Sequence, residues 1–378
     1  MLAPRRFVPV IAVLVALLAA PAVASAQPPR VDEVKRGLEA LVKADGGPPG
    51  AVATLYRNGK LTVLRAGRAN VEKRRAPRAR DHMRLASVTK AYTGAVVLQL
   101  VRDGEIELDD TIDEHLAGMP AAWAGVTVRQ LMNHTSGVPD YTESDAFVEH
   151  VGTNPDGYVT PATVIDWVRD EKVNFPPGAR YRYSNTDNIV LGLMAEAILT
   201  RPFPDIMEDV VFKPAGLDET TFPTRRIELP RPFVRGYVIQ PGQDPTDVTT
   251  FLSPSGAWAS GAIVSTPADL NAFIRAYLGG RFFGADEQRE QLRFVEGSSS
   301  PPGPGENSAG LSVFRYESRC GTVYGHTGNF PGYVQFAAAT ADGKRAVTTS
   351  LNIPAPTGAL LTQLREVQAD AVCALLKG

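Results

Sequence analysis

"AVATLYRNGKLTVLRAG", residues 51–67, places two apolar-rich runs on either side of Asn58-Gly59. That dipeptide accepts the left-handed backbone of a tight two-residue turn, so the stretch predicts a β-hairpin. Immediately upstream, Val31, Val34, Leu38, Leu41 and Val42 fall on one face of a helix over 31–45, which Gly46-Gly47-Pro48-Pro49-Gly50 ends. The far end of the chain has the same character. Residues 333–340 and 345–352 read as strands joined by Ala341-Asp342-Gly343-Lys344. A final helix over 359–376 carries Leu361, Leu364, Val367, Ala371 and Leu375. Both ends of the chain thus offer antiparallel strands with a covering helix.

The middle is different. Residues 88–103 read as a buried helix through Val96, Val97, Leu100 and Val101. "VTVRQLMNH" (126–134), "PATVIDWVRD" (161–170), "NIVLGLMAEAIL" (188–199) and "TPADLNAFIRAYL" (266–278) read as further helices, with Pro161 and Pro267 at first-turn positions. "EGSSSPPGPGENSAG" (296–310) reads as a surface loop. The expected fold is α/β in content (α+β). Residues 27–85 and 281–378 form an antiparallel sheet flanked by the N- and C-terminal helices, a mostly helical lobe over 86–280 is inserted between them, and the site lies in the cleft between lobes.

The 378 residues are 44% hydrophobic with a formal net charge of -2, which gives no polyanion-binding character and no nucleic-acid partner. Arg5 and Arg6, the apolar run Phe7–Ala20 and Ala24-Ser25-Ala26 read as a secretory signal peptide over residues 1–26. The run is short of the roughly 20 residues a membrane span needs, so the expectation is a secreted mature chain without a membrane anchor. In an exported protein, Cys320 and Cys373 read as one disulfide. Closing that loop contributes about 4 kcal/mol on the chain-entropy argument. No HExxH and no Cys/His cluster is present, so no metal and no cofactor are expected.

Three short motifs carry chemistry. In "LASVTKAYTG" (85–94), Ser87 and Lys90 are three apart at the start of a helix and share a face. A Lys desolvated by apolar neighbours can be neutral and accept a hydroxyl proton. The bland alternative, a capping Ser beside a solvated Lys, loses ground because the surroundings are apolar. In "NFPPGARYRYSNTDN" (174–188), Tyr183 and Asn185 lie two apart, so an extended loop directs both to one side. A phenolate at Tyr183 near Lys90 would be a base, and the Asn185 amide can donate to and accept from a peptide. Tyr56-Arg57-Asn58 shows the same pattern in a mere hairpin turn. In "VYGHTGNFPGY" (323–333), His326 and Gly328 face one way along a strand and Thr327 the other. Gly328 permits close backbone approach. The N–H groups of Asn329 and Ser87 can then form an oxyanion hole. Among the remaining histidines, His134 ends a helix and reads as structural, while His82, His115 and His150 lie in polar, exposed contexts. There is no GxSxG elbow and no phosphate loop.

Taken in order, Ser87-Val88-Thr89-Lys90, Tyr183-Ser184-Asn185 and His326-Thr327-Gly328 resemble the three motifs of the penicillin-binding-protein and serine β-lactamase superfamily. The flanks "NHTSGVPDY", "PPGARYRYSN", "WASGAIVSTPADL" and "CGTVYGHTG" resemble exported D-alanyl-D-alanine carboxypeptidases of the actinomycete type. The resemblance implies Ser87 as acylated nucleophile, Lys90 as proton acceptor and Tyr183 as acid/base. It implies Asn185, His326, Thr327 and Asn329 as substrate contacts, Trp258 and Phe147 as site-lining aromatics, and Cys320–Cys373 as a bridged pair. It implies a carboxypeptidase acting on peptidoglycan stem peptides, acylated by β-lactam antibiotics, and monomeric. A β-lactamase or esterase on the same scaffold, and a non-catalytic penicillin-binding sensor, are the alternatives.

Two departures bear on specificity. Phe314 stands where such carboxypeptidases carry a carboxylate-binding Arg, and Arg315 next door points to the opposite face. His326 replaces the Lys common in β-lactamases. An unperturbed His titrates near about 6.5, so any positive charge offered there is expected to vary between about pH 5.5 and 7.5.

Overall fold

The computed structural model describes residues 31–225, 227–240 and 242–377; the signal peptide expected over 1–26 lies outside the described residues. Asn58 and Gly59 adopt φ of 53° and 75°. They join β1 (Gly50–Arg57) to β2 (Lys60–Gly67) with Arg57 opposite Lys60. The same sheet contains β3 (Val295–Glu296), β4 (Glu306–Ala309), β5 (Phe314–Ser318), β6 (Gly321–Phe330), β7 (Tyr333–Ala339) and β8 (Ala346–Leu351). Its order is β2-β1-β8-β7-β6-β5-β4-β3, antiparallel throughout. The two ends of the chain therefore meet in mid-sheet, with Ala51 opposite Leu351 and Tyr56 opposite Ala346.

Five helices position the site: α1 (Val31–Lys43), α2 (Thr89–Asp103), α3 (Asn185–Leu199), α4 (Pro267–Leu278) and α5 (Gly358–Lys377). α1 buries Val34, Leu38 and Leu41, and α5 buries Leu364, Val367, Ala371 and Leu375, against Ala51, Ala53, Leu55, Val334, Phe336 and Val347. On the opposite face Ala337, Ala339 and Ala346 join the core of α2, α3 and α4. With both faces covered, β7 and β8 are buried at every position, including the polar Gln335, Thr348, Thr349 and Ser350. Polar groups caught in this layer pair with one another. Thr54 and Thr348 hydroxyls lie 2.7 Å apart, and the Asn271 amide of α4 donates to Thr54 at 3.0 Å.

α2 is buried at every residue from Thr89 to Leu98 and ends at Gly104, φ 72°. Cys320, in the turn between β5 and β6, is disulfide-bonded to Cys373 of α5, which pins the last helix to the sheet. Residues 296–310 depart from the expected surface loop. They include β4, paired between β5 and the edge strand β3, and their middle folds onto the sheet, where Tyr316 Oη donates to Ser299 Oγ and Thr327 Oγ1 to the Pro301 carbonyl. The helix expected over 126–134 stops at Met132, because His134 takes a left-handed backbone, φ 60°.

Candidate active site

Ser87 sits in a single 3₁₀ turn (Ala86–Val88) that feeds α2. Ala86 directly before it has φ 53°, a left-handed conformation that is strained for a residue with a side chain. β6 presses against this turn. A Cβ on Gly328 would collide with the Leu85 carbonyl oxygen and lie within 3.2 Å of the Ser87 nitrogen, so only glycine permits the approach. Pairing of β6 with β5 stops at Gly325. Residues 326–330 therefore run on beyond β5 as an edge beside the Ser87 turn.

One helical turn on, Lys90 is 1% exposed. Its Nζ donates to Ser87 Oγ at 3.1 Å, Asn185 Oδ1 at 2.7 Å and the Ser260 carbonyl at 2.8 Å. Burial lowers its pKa from 10.5 to about 7, and the nearby carboxylates of Asp140 and Asp187 oppose the shift. Near neutral pH this amine can therefore exchange a proton with Ser87.

Tyr183 lies on the extended entry to α3, and Asn185 is the first residue of that helix. The Tyr183 ring lies 5.0 Å from Lys90 Nζ, and its buried Oη is near Ser87 but makes no hydrogen bond of good geometry among the described residues. Burial raises its pKa well above 10, with the Ser87 hydroxyl opposing. Tyr183 is thus a phenol at neutral pH, which corrects the expectation of a resting phenolate. The Asn185 amide donates to Asp140 at 2.9 and 3.2 Å, so Asn185 bridges Lys90 and Asp140.

Beneath them, Asp187 accepts from Ser136 Oγ at 2.5 Å and meets His134 Nδ1 at 2.8 Å. The His134 ring lies 4.4 Å from the Tyr183 ring. Burial pushes Asp187 well up and His134 well down, which favours a neutral pair sharing one proton. The "NHTSGVPDY" segment thereby fixes where Tyr183 and Asn185 point. Asp140, Asp187 and the Ser260 carbonyl went unremarked in the sequence. All three stand inside quoted stretches, but nothing local marks them as buried neighbours of Lys90.

The cleft in front of Ser87 encloses about 550 Å³, and Ser87, Phe147, Tyr183, Asn185 and Asn329 line it. Four expected site residues do not: Lys90, which lies behind Ser87, and Trp258, Thr327 and His326. Trp258 is 4% exposed and packs in the core against Phe203, ring centroids 5.2 Å apart, and Gly192. Thr327 is fully buried, its hydroxyl spent on the Pro301 carbonyl. His326 is also fully buried, edge-on to Phe314 at 5.0 Å, with Nε2 unpartnered among the described residues. Burial lowers its pKa to about 3, and Lys90 pushes the same way. It is neutral across the whole range where a titrating cation was expected. His82 is buried as well, against the Pro232 carbonyl.

A model of the Beta-lactamase family matches residues 34–370. The chain belongs to that family. Penicillin-binding protein 4* of Bacillus subtilis (strain 168) is 26% identical over 286 residues, 71% of this chain and 60% of that protein. The chain spans less than two thirds of that relative's length. Among solved structures, a D-stereospecific amidohydrolase from Streptomyces sp. is 31% identical, with a TM-score of 0.76 over 89% of this chain and 97% of that one. A D-amino acid amidase from Ochrobactrum anthropi SV3, 24% identical, superposes with a TM-score of 0.79 over 90% and 96% of the two chains and shares the fold.

The family is one of serine acyl-transferases and hydrolases, and the charge of the cleft bears on what it can take. No described residue lining it is Arg or Lys. Phe314 is in the core, and Arg315 is turned to Ser308, Glu317 and the Phe294 ring. The charged lining residues are acidic: Asp140, held by Asn185, and Glu143, paired with Arg182 at 2.6 Å. One end is aromatic, with Phe147 edge-on to Tyr141 at 5.6 Å and to Trp167 at 5.9 Å.

Proposed function

We propose that the protein is a serine hydrolase that cleaves amides or esters through an acyl-enzyme on Ser87. Lys90, as the free amine, takes the Ser87 proton while Oγ attacks the substrate carbonyl carbon. The N–H groups of Ser87 and Asn329 receive the developing oxyanion. Tyr183 gives its proton to the leaving nitrogen or oxygen and recovers one from Lys90. Water then repeats the sequence in reverse and frees the acid. The observation that carries this reading is the 3.1 Å contact between Ser87 and a fully buried Lys90 whose pKa is about 7.

For substrate, the reading is an amide or ester of a D-amino acid, without a free carboxylate beside the scissile bond. Two observations support it: the absence of Arg and Lys among the described cleft residues, and 31% identity to a D-stereospecific amidohydrolase. The D-alanyl-D-alanine carboxypeptidase is the second reading, favoured by the likeness to a penicillin-binding protein. The bonded cysteine pair supports an extracytoplasmic location. Hydrolysis of D- and L-phenylalanine amide and of diacetyl-Lys-D-Ala-D-Ala, by wild type and Ser87→Ala, tests the choice. Ser87-dependent turnover of the D-amide above both others is expected. Faster release of D-Ala from the tripeptide would install the carboxypeptidase instead.

A further inference from the structure

A second hollow of about 490 Å³ adjoins the cleft, and Phe251, Asn329, Phe330 and Pro331 line both. Its further walls are Val238 and Val248, on either side of a short hairpin, and Pro354. The remaining described residues lining it, Gln240 and Thr246, are uncharged. Phe251 stands at the junction and is 44% exposed, a large apolar surface left open to water.

This groove is held in shape from behind. Arg84, buried three residues before Ser87, donates to the carbonyls of Ile227 and Thr249, and its guanidinium lies 5.2 Å from the Phe330 ring centroid. Arg235 pairs with Asp247 across the hairpin, and the Tyr237 N–H donates to the Asn352 carbonyl at 3.0 Å. Asn329 Oδ1 accepts from the Ala355 N–H at 2.7 Å.

We infer that this groove is an acyl-side subsite and that it takes the neutral, apolar part of the acyl group. The inference rests on the acyl-enzyme reading above. A carbonyl held at the Asn329 amide sits where the two hollows join, and it has two substituents to place. Tyr183, the proton donor to the leaving group, lines the cleft and not the groove. The leaving group accordingly occupies the cleft, and the acyl chain runs past Asn329 between Phe251 and Pro331. With no charged wall among the described residues, the groove selects by apolar area.

The test is a series of p-nitrophenyl esters from acetate to octanoate, with the leaving group constant. In the wild type, kcat/KM should rise about two- to fourfold for each added methylene until the groove is filled. In Val248→Asp and in Val238→Asp that gradient should collapse. The reading is the ratio of long to short ester in one preparation, so partial misfolding does not imitate it. A flat series in the wild type overturns the subsite, as does a gradient that survives both substitutions. Hydrolysis of the acetate ester that persists in Ser87→Ala would instead overturn the acyl-enzyme reading beneath it.

Discussion

Lys90 sets the pH dependence of acylation. Its buried amine titrates at about 7 in the folded protein, and the form that accepts the Ser87 proton is the neutral one. About one-tenth of the enzyme carries a neutral Lys90 at pH 6 and about nine-tenths at pH 8. The acylation rate should therefore rise roughly tenfold over those two units, with the limb approaching unit slope only below about pH 6 and levelling off above about pH 8. The assay is stopped-flow release of p-nitrophenol from an activated ester under single-turnover conditions, from pH 5 to pH 9. Asp140 opposes the lowering of the Lys90 pKa, so Asp140→Asn should move the limb to lower pH. Lys90→Arg, whose guanidinium stays charged, should lose about 10²-fold or more at every pH. A wild-type rate flat between pH 6 and 8, or an Asp140→Asn limb displaced upward, would refute the reasoning.

Gly328→Ala drives a methyl group into the Leu85 carbonyl beside the Ser87 N–H, and should lower kcat about 100-fold and also lower the melting temperature, because backbone must move to admit it; near-wild-type kcat contradicts the oxyanion arrangement. His326 has its pKa near 3 and stays neutral, so His326→Asn should keep the acid limb at the wild-type position; a limb that vanishes would assign the titration to His326. Replacing both Cys320 and Cys373 by Ala should cost about 4 kcal/mol in denaturant unfolding, and a loss below about 1 kcal/mol would mean the bridge constrains little.

Much of the fold is written locally. Asn58-Gly59 dictates its own turn, and the apolar spacing of α1 and α5 announces two helices that cover a sheet face. The Ser87–Lys90 pair is equally legible, since three residues make one helical turn and an apolar setting desolvates the amine. The parts that misread depend on what arrives from far along the chain. Strand alternation separates His326 from Thr327 but cannot say that Phe314 and Lys90 would enclose the imidazole, or that residue 301 would claim the threonine hydroxyl. Trp258 stands beside the Lys90-binding carbonyl of Ser260, yet Gly192 and Phe203 draw its ring into the core. The 296–310 stretch has loop composition, and it pairs only because β5 leaves an open edge that its backbone can satisfy.

The central claim is the covalent intermediate. Acid-quenching the enzyme during turnover of an activated ester, then mapping its peptides by mass spectrometry, tests it most directly. One acyl group on the peptide containing Ser87, absent from Ser87→Ala and lost as substrate runs out, is the predicted result. An acyl group on another residue, or full turnover by Ser87→Ala, would contradict it.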